Sequence, residues 1–203
     1  MKFLLSAAIS TRTNQKTKTD SLNSLHFRDK LEFNEVVMKR RMVRNFTADP
    51  VSDSDLKHIL ELALHAPSAG FSQGWSFLVV HDEGRRKEVG RIQGEKEYDV
   101  TGFGNFVSKA PILIVVCTSE DAYHKRYRES DKVNQDGSEI EWPTPYWIFD
   151  VGASTMIMLL AAVDLGYSAA FTGAPNTAGL EISGNTERVP SSGCNFYRTW
   201  RQR

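Results

Sequence analysis

Residues 150–165 read Asp-Val-Gly-Ala-Ser-Thr-Met-Ile-Met-Leu-Leu-Ala-Ala-Val-Asp-Leu, and Gly166 follows as a stop. The stretch between Asp150 and Asp164 carries no charge, and its apolar side chains fall on every side of a helix. A helix of that kind is buried all round. A membrane span would need about 20 apolar residues. This run is shorter, has Asp150 in its first turn and lacks basic flanks. It therefore reads as the buried core helix of a globular domain. Gly152, Ala153 and Ser154 at its start leave room for another backbone or a flat ligand to approach.

At 203 residues the chain suffices for one domain with a substantial core. Lys plus Arg equals Asp plus Glu at 25 each, so no global field favours nucleic acid or an anionic membrane. The 2 cysteines, Cys117 and Cys194, match no metal spacing and suggest no disulfide framework, which fits a reducing cytoplasm. The apolar run from Phe3 to Ile9 is at the minimum for a signal peptide, and no clean cleavage site follows it. Residues 1–30, polar from Ser10 onward, are expected to be a mobile extension. A folded domain over 31–175 and a divergent tail over 176–203 complete the division.

Within that domain a helix is expected from Leu31, with Phe33, Val36 and Val37 on one face. Ser52 is an N-cap with Asp55 three positions on, a capping-box variant ahead of Leu56, Ile59, Leu60 and Ala63 at helical spacing. Trp-Ser-Phe-Leu-Val-Val over 75–80 and the apolar run 111–117 read as central strands covered on both faces. Residues 84–93 form a charged surface helix. Residues 121–145 are a long polar segment with aromatics, of a length that usually serves as a lid or binding loop. A short strand over 167–171 follows the apolar helix. His58, His65 and His81 read as surface or packing residues.

Three stretches suit chemistry as well as packing. Arg40, Arg41 and Arg44 surround Met42 and Val43; guanidiniums are planar, permanently charged donors for phosphate, although a solvated basic helix end has the same composition. Residues 66–75, Ala-Pro-Ser-Ala-Gly-Phe-Ser-Gln-Gly-Trp, leave backbone groups accessible to a ring edge or sugar hydroxyls, or are a plain helix-to-strand loop. Ala170, Phe171, Thr172 and Gly173 end a strand, where ligands of α/β sheets often bind.

In this order the stretches resemble the nitroreductase family of flavoproteins. Arg40-Arg41-Met42-Val43-Arg44, then Ala66-Pro67-Ser68 with Gln73 and Trp75, then Asp150-Val151-Gly152, Asp164-Leu165-Gly166 and Phe171-Thr172-Gly173 carry the likeness over about 33–175. The resemblance implies an α+β fold, a three-layer α/β/α sandwich with a central mixed sheet, that forms a homodimer through its long helix. FMN would be bound at the subunit interface, with NAD(P)H as electron donor. Cofactor-binding residues would be Arg40, Arg41, Arg44 and the backbone at Met42. Pro67, Ser68, Ala69, Phe71 and Gln73 would lie along the ring, and Phe171, Thr172 and Gly173 near N5.

The flavin would carry the chemistry, so no catalytic side chain is assigned beyond Arg44, whose charge would favour the reduced ring. A small organic acceptor, nitroaromatic or quinone, would follow NAD(P)H in a ping-pong cycle. Tyr123, Arg126, Tyr127 and Arg128, with Asp131 and Lys132, would read the substrate, unless 121–146 is a solvated crossover. No metal site, nucleic-acid partner or membrane partner is expected.

Departures from the family pattern are Phe71 for Asn, Gly74 for Pro and Met42 for Ser. Two rivals remain: a reductive dehalogenase-like flavoenzyme on the same fold, and a flavin-binding protein with little turnover. After Pro175 the expected Val-Val-Gly-like strand and its following basic residue are missing, as after a frameshift, a truncation or an alternative exon end. The sheet would then lack a strand and FMN would be held weakly.

Overall fold

The computed structural model describes residues 4–11 and 31–173. Four strands are β1 (Leu4–Thr11), β2 (Trp75–Val80), β3 (Ile112–Thr118) and β4 (Tyr167–Gly173). The helices are α1 (Phe33–Lys39), α2 (Asp53–Ala63), α3 (Glu83–Ile92), α4 (Glu95–Asp99), α5 (Phe106–Lys109), α6 (Glu120–Tyr127) and α7 (Tyr146–Asp164). The calls on Asn176 onward, with Cys194, Arg198 and Arg201, lie outside the described residues.

Side chains of β3 leave the sheet in alternation, and both sets are apolar. Ile112, Ile114 and Val116 join Leu56, Ile59, Ala63, Val151, Met158 and Ala162 beneath α2 and α7. Leu113 and Val115 join Val89, Phe106, Val107 and Ala110 beneath α3 and α5. Helices cover both faces, so the expected three-layer α+β sandwich is the architecture found. All strand ladders are antiparallel, in the order β2-β3-β1-β4. The parallel component of the expected mixed sheet is limited, among the described residues, to the bridge between Met42 and Ala169.

Two expectations about the sheet need correction. The run 75–80 was expected to be central, but among the described residues β2 pairs only with β3. Residues 1–30 were expected to be a mobile extension, yet Leu4–Thr11 form β1 between β3 and β4. Ile9 opposes Ile112 on one side and Ala169 on the other, and is fully buried. β1 therefore fills the place between β3 and β4. Local sequence gave no hint of this, because both partners of β1 are far away in the chain.

The apolar helix begins at Tyr146 rather than Asp150, with Pro145 at its N-cap, a residue whose fixed φ suits a helix start. Its start is tied to the end of β3, where the Thr118 hydroxyl donates to the Trp147 carbonyl at 3.0 Å. Ser154 lies fully buried and donates to the Ala63 carbonyl at 2.7 Å, so the backbone approaching the small residues is that of α2. By length and composition α7 is the one helix among the described residues that could cross a membrane, but Trp147, Val151, Met158 and Ala162 line the core. Burial all round is corrected. Phe149 is 66% exposed and Met156 46%, so one apolar flank of α7 faces outward.

At the start of α2 the Ser52 cap forms as expected, its Oγ accepting from Asp55 N at 3.1 Å. The Asp55 carboxylate also accepts from the Tyr167 hydroxyl at 2.5 Å, tying the helix start to β4.

Candidate functional site

The loop ahead of β2 is folded by its own small and hydroxyl residues. Ser68 Oγ accepts from Gln73 N at 3.0 Å and the Ser68 carbonyl from Phe71 N at 3.0 Å. Gly70, Phe71 and Gln73 have φ of 59°, 58° and 46°. Glycine takes that conformation freely, whereas an aromatic residue is strained in it. A side chain at Gly70 would also collide with the Tyr127 ring, 2.6 Å from the added carbon. Phe71, held in this strained turn, is 75% exposed.

Asp150 organises the turn. Its Oδ2 accepts from Ala69 N and from the Tyr123 hydroxyl, both at 2.8 Å. Burial, then the bond to the Asp150 carboxylate, push the Tyr123 hydroxyl far above its ordinary range, so it remains a donor. Gly74 now has a reason. An added Cβ there would sit 2.6 Å from the Tyr123 ring, in space that a proline would also fill. The one acid inside the first turns of the apolar helix was the available signal for Asp150, but its partners Ala69 and Tyr123 lie far away in the chain.

The basic stretch is fastened to the opposite edge of the sheet. Val43 N donates to the Ala169 carbonyl at 3.1 Å beside the Met42–Ala169 bridge, which fastens the arginine stretch along β4, the strand that ends at Phe171, Thr172 and Gly173. Arg40 is the C-cap of α1. Arg41 Nη1 donates to the Arg40 carbonyl at 2.7 Å and to that of Met38, so this guanidinium does cap a helix end. The Arg44 guanidinium lies over the Phe103 ring, 4.6 Å from its centroid, and 5.9 Å from that of Phe106.

The 66–75 turn and the Gly173 end of β4 lie at one end of the sheet, because Trp75 pairs with Thr118, Leu4 with Cys117 and Leu5 with Gly173. Met42 instead bridges Ala169, level with Ile9 and Ile112 towards the other end. Among the described residues the turn and β4 stand on different edges, however. Three strand spacings of about 4.8 Å separate β2 from β4, roughly 14 Å. One chain therefore does not bring Pro67, Ser68, Ala69, Phe71 and Gln73 against Arg40, Met42 and Thr172.

The segment expected to be a loop over 121–145 begins as α6 and continues as a packed cap. Arg126 Nε donates to the Gly70 carbonyl at 2.9 Å, while its Nη1 meets Glu129 and Asp131 at 2.7 Å. Hydrogen bonding to Arg126 holds the Asp131 carboxyl down to about 2. Trp142 contacts Tyr127, Tyr123 and Trp147 with ring centroids 4.6, 6.3 and 5.9 Å apart, and Lys132 lies over the Tyr127 ring at 5.8 Å.

Glu139 accepts from Trp142 Nε1 and Arg128 Nε at 2.7 Å and contacts His124 Nδ1. Desolvation raises its pKa, but these bonds outweigh it and hold the carboxyl down to about 2. Tyr123, Arg126 and Tyr127 thus reach the 66–75 loop at Gly74 and Gly70, while Arg128 is tied to Glu139 within the cap. Glu139 as its hub was not visible in sequence, since its partners come from both α6 and the loop. Among the described residues no group of His, Cys, Asp and Glu could hold a metal ion.

Comparison with known proteins agrees with this architecture. The family model described as the nitroreductase family matches residues 37–183. A protein of Archaeoglobus fulgidus, by name a candidate NADH dehydrogenase/NAD(P)H nitroreductase, is 30% identical over 139 residues, 68% of this chain and 66% of its own length. The NADPH-flavin oxidoreductase of Vibrio harveyi is 25% identical over 73% of this chain and 56% of its own. Iodotyrosine deiodinase 1 of Rattus norvegicus is 32% identical over 32% of this chain and 23% of its own. The chain therefore spans less than two thirds of the length of these curated relatives. Among solved structures, a nitroreductase family protein of Streptococcus pneumoniae TIGR4 superposes with a TM-score of 0.52 at 24% identity, covering 66% of this chain and 73% of that one.

Proposed function

This chain belongs to the nitroreductase family, and we propose that it is an FMN-dependent oxidoreductase taking hydride from NAD(P)H and passing electrons to a small organic acceptor in the cytoplasm. The observation that carries this reading is the attachment of the Arg40–Arg44 turn to β4 through Val43 and Met42. It holds cationic forks, with the backbone at Met42, along the strand that ends at Thr172 and Gly173. That donor set fits a phosphate and a ribityl chain. The Arg44 guanidinium is held over the Phe103 ring by a cation–π contact, and its N–H groups would serve the pyrimidine edge of a ring. FMN, when bound, supplies the hydride chemistry.

The roughly 14 Å between the sheet's edges supports a site shared across a two-fold dimer. One subunit would supply the arginines and the β4 end, its partner the Pro67–Ser68–Ala69 turn with Phe71 and Gln73. The outward flank of α7, with Phe149 and Met156, and the exposed Phe33, Val37 and Met38 of α1 are the apolar surface such a partner would cover. The cap over 120–145 would then border the acceptor. Because Arg126 and Arg128 are engaged within it, acceptor choice falls on aromatic surface more than on free charge.

A second reading, a dehalogenase-like flavoenzyme on the same fold, is favoured by the partial match to iodotyrosine deiodinase and by an apolar Phe71 at the ring. Steady-state oxidation of NADH and NADPH with a nitroaromatic, a quinone and a halogenated phenol tests the reading. Turnover with the first two supports the oxidoreductase, and halide release with the third supports the alternative. Flavin-loaded protein inert with all three would overturn both and leave a flavin-binding protein.

A further inference from the structure

A pocket of about 270 Å³ opens at the Ile112 end of β3, lined by Pro50, Val51, His81, Arg86, Lys109 and Pro111 with Ala48 and Ile112. Its place follows from the register. Val80 pairs with Leu113, whereas Trp75 pairs with Thr118 at the opposite end. The length of β2 therefore separates this pocket from the 66–75 loop, about 17 Å at 3.4 Å per residue.

Three basic side chains and no carboxylate line it. Arg86 is fixed by one edge, Nη1 donating to the Pro111 carbonyl at 3.2 Å and to that of His81. Its Nε, on the other edge, is buried and has no hydrogen-bond partner. A buried charged donor left without an acceptor is costly, so this N–H calls for an oxygen. The acids nearest in sequence are engaged elsewhere. Asp82 caps α3 by accepting from Arg85 N at 2.8 Å, and Glu83 pairs with Lys87 at 2.7 Å. Asp49 has contacts of its own and is not part of the lining.

We propose that this pocket binds a phosphate-class oxyanion, free or as the head of a small monoester. The ion would take the Nε edge of Arg86, with Lys109 and His81 at the mouth. The volume is below the roughly 300–1,000 Å³ of pockets that enclose drug-sized ligands, which favours a small ion over a whole cofactor. The guanidinium edge is already oriented by two carbonyls, so little side-chain freedom is lost on binding.

Calorimetric titration of the purified full chain with inorganic phosphate, at ionic strength held constant with chloride, tests the site. Arg86→Met, Lys109→Met and Arg40→Ala are run beside the unaltered protein. Saturable binding that Arg86→Met abolishes, Lys109→Met weakens about fivefold and Arg40→Ala leaves intact is the expected result. Lys109→Met guards against a folding defect in Arg86→Met, because Lys109 is exposed. Glycerol phosphate as a second titrant separates the sources: tighter binding than inorganic phosphate assigns a monoester, and equal or weaker binding the free ion. No saturable binding to the unaltered protein, or binding lost in Arg40→Ala and kept in Lys109→Met, overturns the proposal.

Discussion

Replacing Ile9 by Ala distinguishes a strand built into the sheet from an extension lying outside it. Ile9 is fully buried in the cluster beneath α2 and α7, and faces Ile112 and Ala169 across two ladders. Truncating a core Ile to Ala costs about 2–5 kcal/mol, since the transfer energy of the lost carbons adds to that of the cavity. The upper half of that range is expected here, because Ile9 lies on a strand paired on both sides and has little freedom to collapse inward. With a urea m-value of about 2 kcal/mol/M, the unfolding midpoint should fall by roughly 1.8–2.5 M with m unchanged.

Ala7 opposes Ile114 and Phe171 at once, so Ala7→Pro should be worse, removing a ladder donor from an inner strand. Urea unfolding followed by tryptophan fluorescence is the assay. A shift of Ile9→Ala within about 0.5 kcal/mol, the usual range for a surface change, would refute the placement of β1 and restore the mobile extension.

Arg40→Ala should weaken FMN binding by about 1.5–3 kcal/mol, the value of a charge-assisted hydrogen bond, measured by titrating the apo-protein; unchanged affinity would move the phosphate elsewhere. Met156→Asp places a charge on the outward flank of α7 and should give monomers that also lose flavin in light scattering with absorbance detection, whereas a flavin-loaded monomer would contradict a shared site. The carboxyl of Glu139 titrates at about 2 when folded, below its ordinary 4.5, so its contribution is complete above about 4.5 and disappears as pH falls towards 2. Trp142 fluorescence should report the cap loosening in that window, and Glu139→Gln should remove the dependence while loosening the cap at neutral pH.

What could be read from sequence was what local pattern determines. Ser52 and the spacing of Leu56, Ile59 and Ala63 announced α2, and the apolar run 111–117 announced β3, because caps and periodicity act over a few residues. The motifs that carry the candidate site were legible for the same reason, as short runs of arginines, small residues and a strand end. Pairing was not legible. β1 is defined by partners on β3 and β4, and its apolar residues served equally well as a weak signal peptide.

Nor was α6 legible, since Glu120–Tyr127 is charged over most of its length and is held by Tyr123 reaching Asp150 and Arg126 reaching Gly70. The same tertiary bonds explain why the proposed substrate residues are cap residues. Their charges looked free in sequence because Glu139 and Asp131 are brought to them only by folding. Burial of α7 was overstated because apolar character cannot tell a core neighbour from an outward flank, as Phe149 and Met156 demonstrate.

Identification of the ligand released on denaturing the purified protein tests the central claim most directly. The arginine turn offers cations for one terminal phosphate, and no dinucleotide glycine fingerprint follows a strand. A yellow protein that yields FMN by mass spectrometry, at one molecule per chain after reconstitution, is the predicted result. FAD in its place, or no flavin retained after reconstitution, would contradict the account.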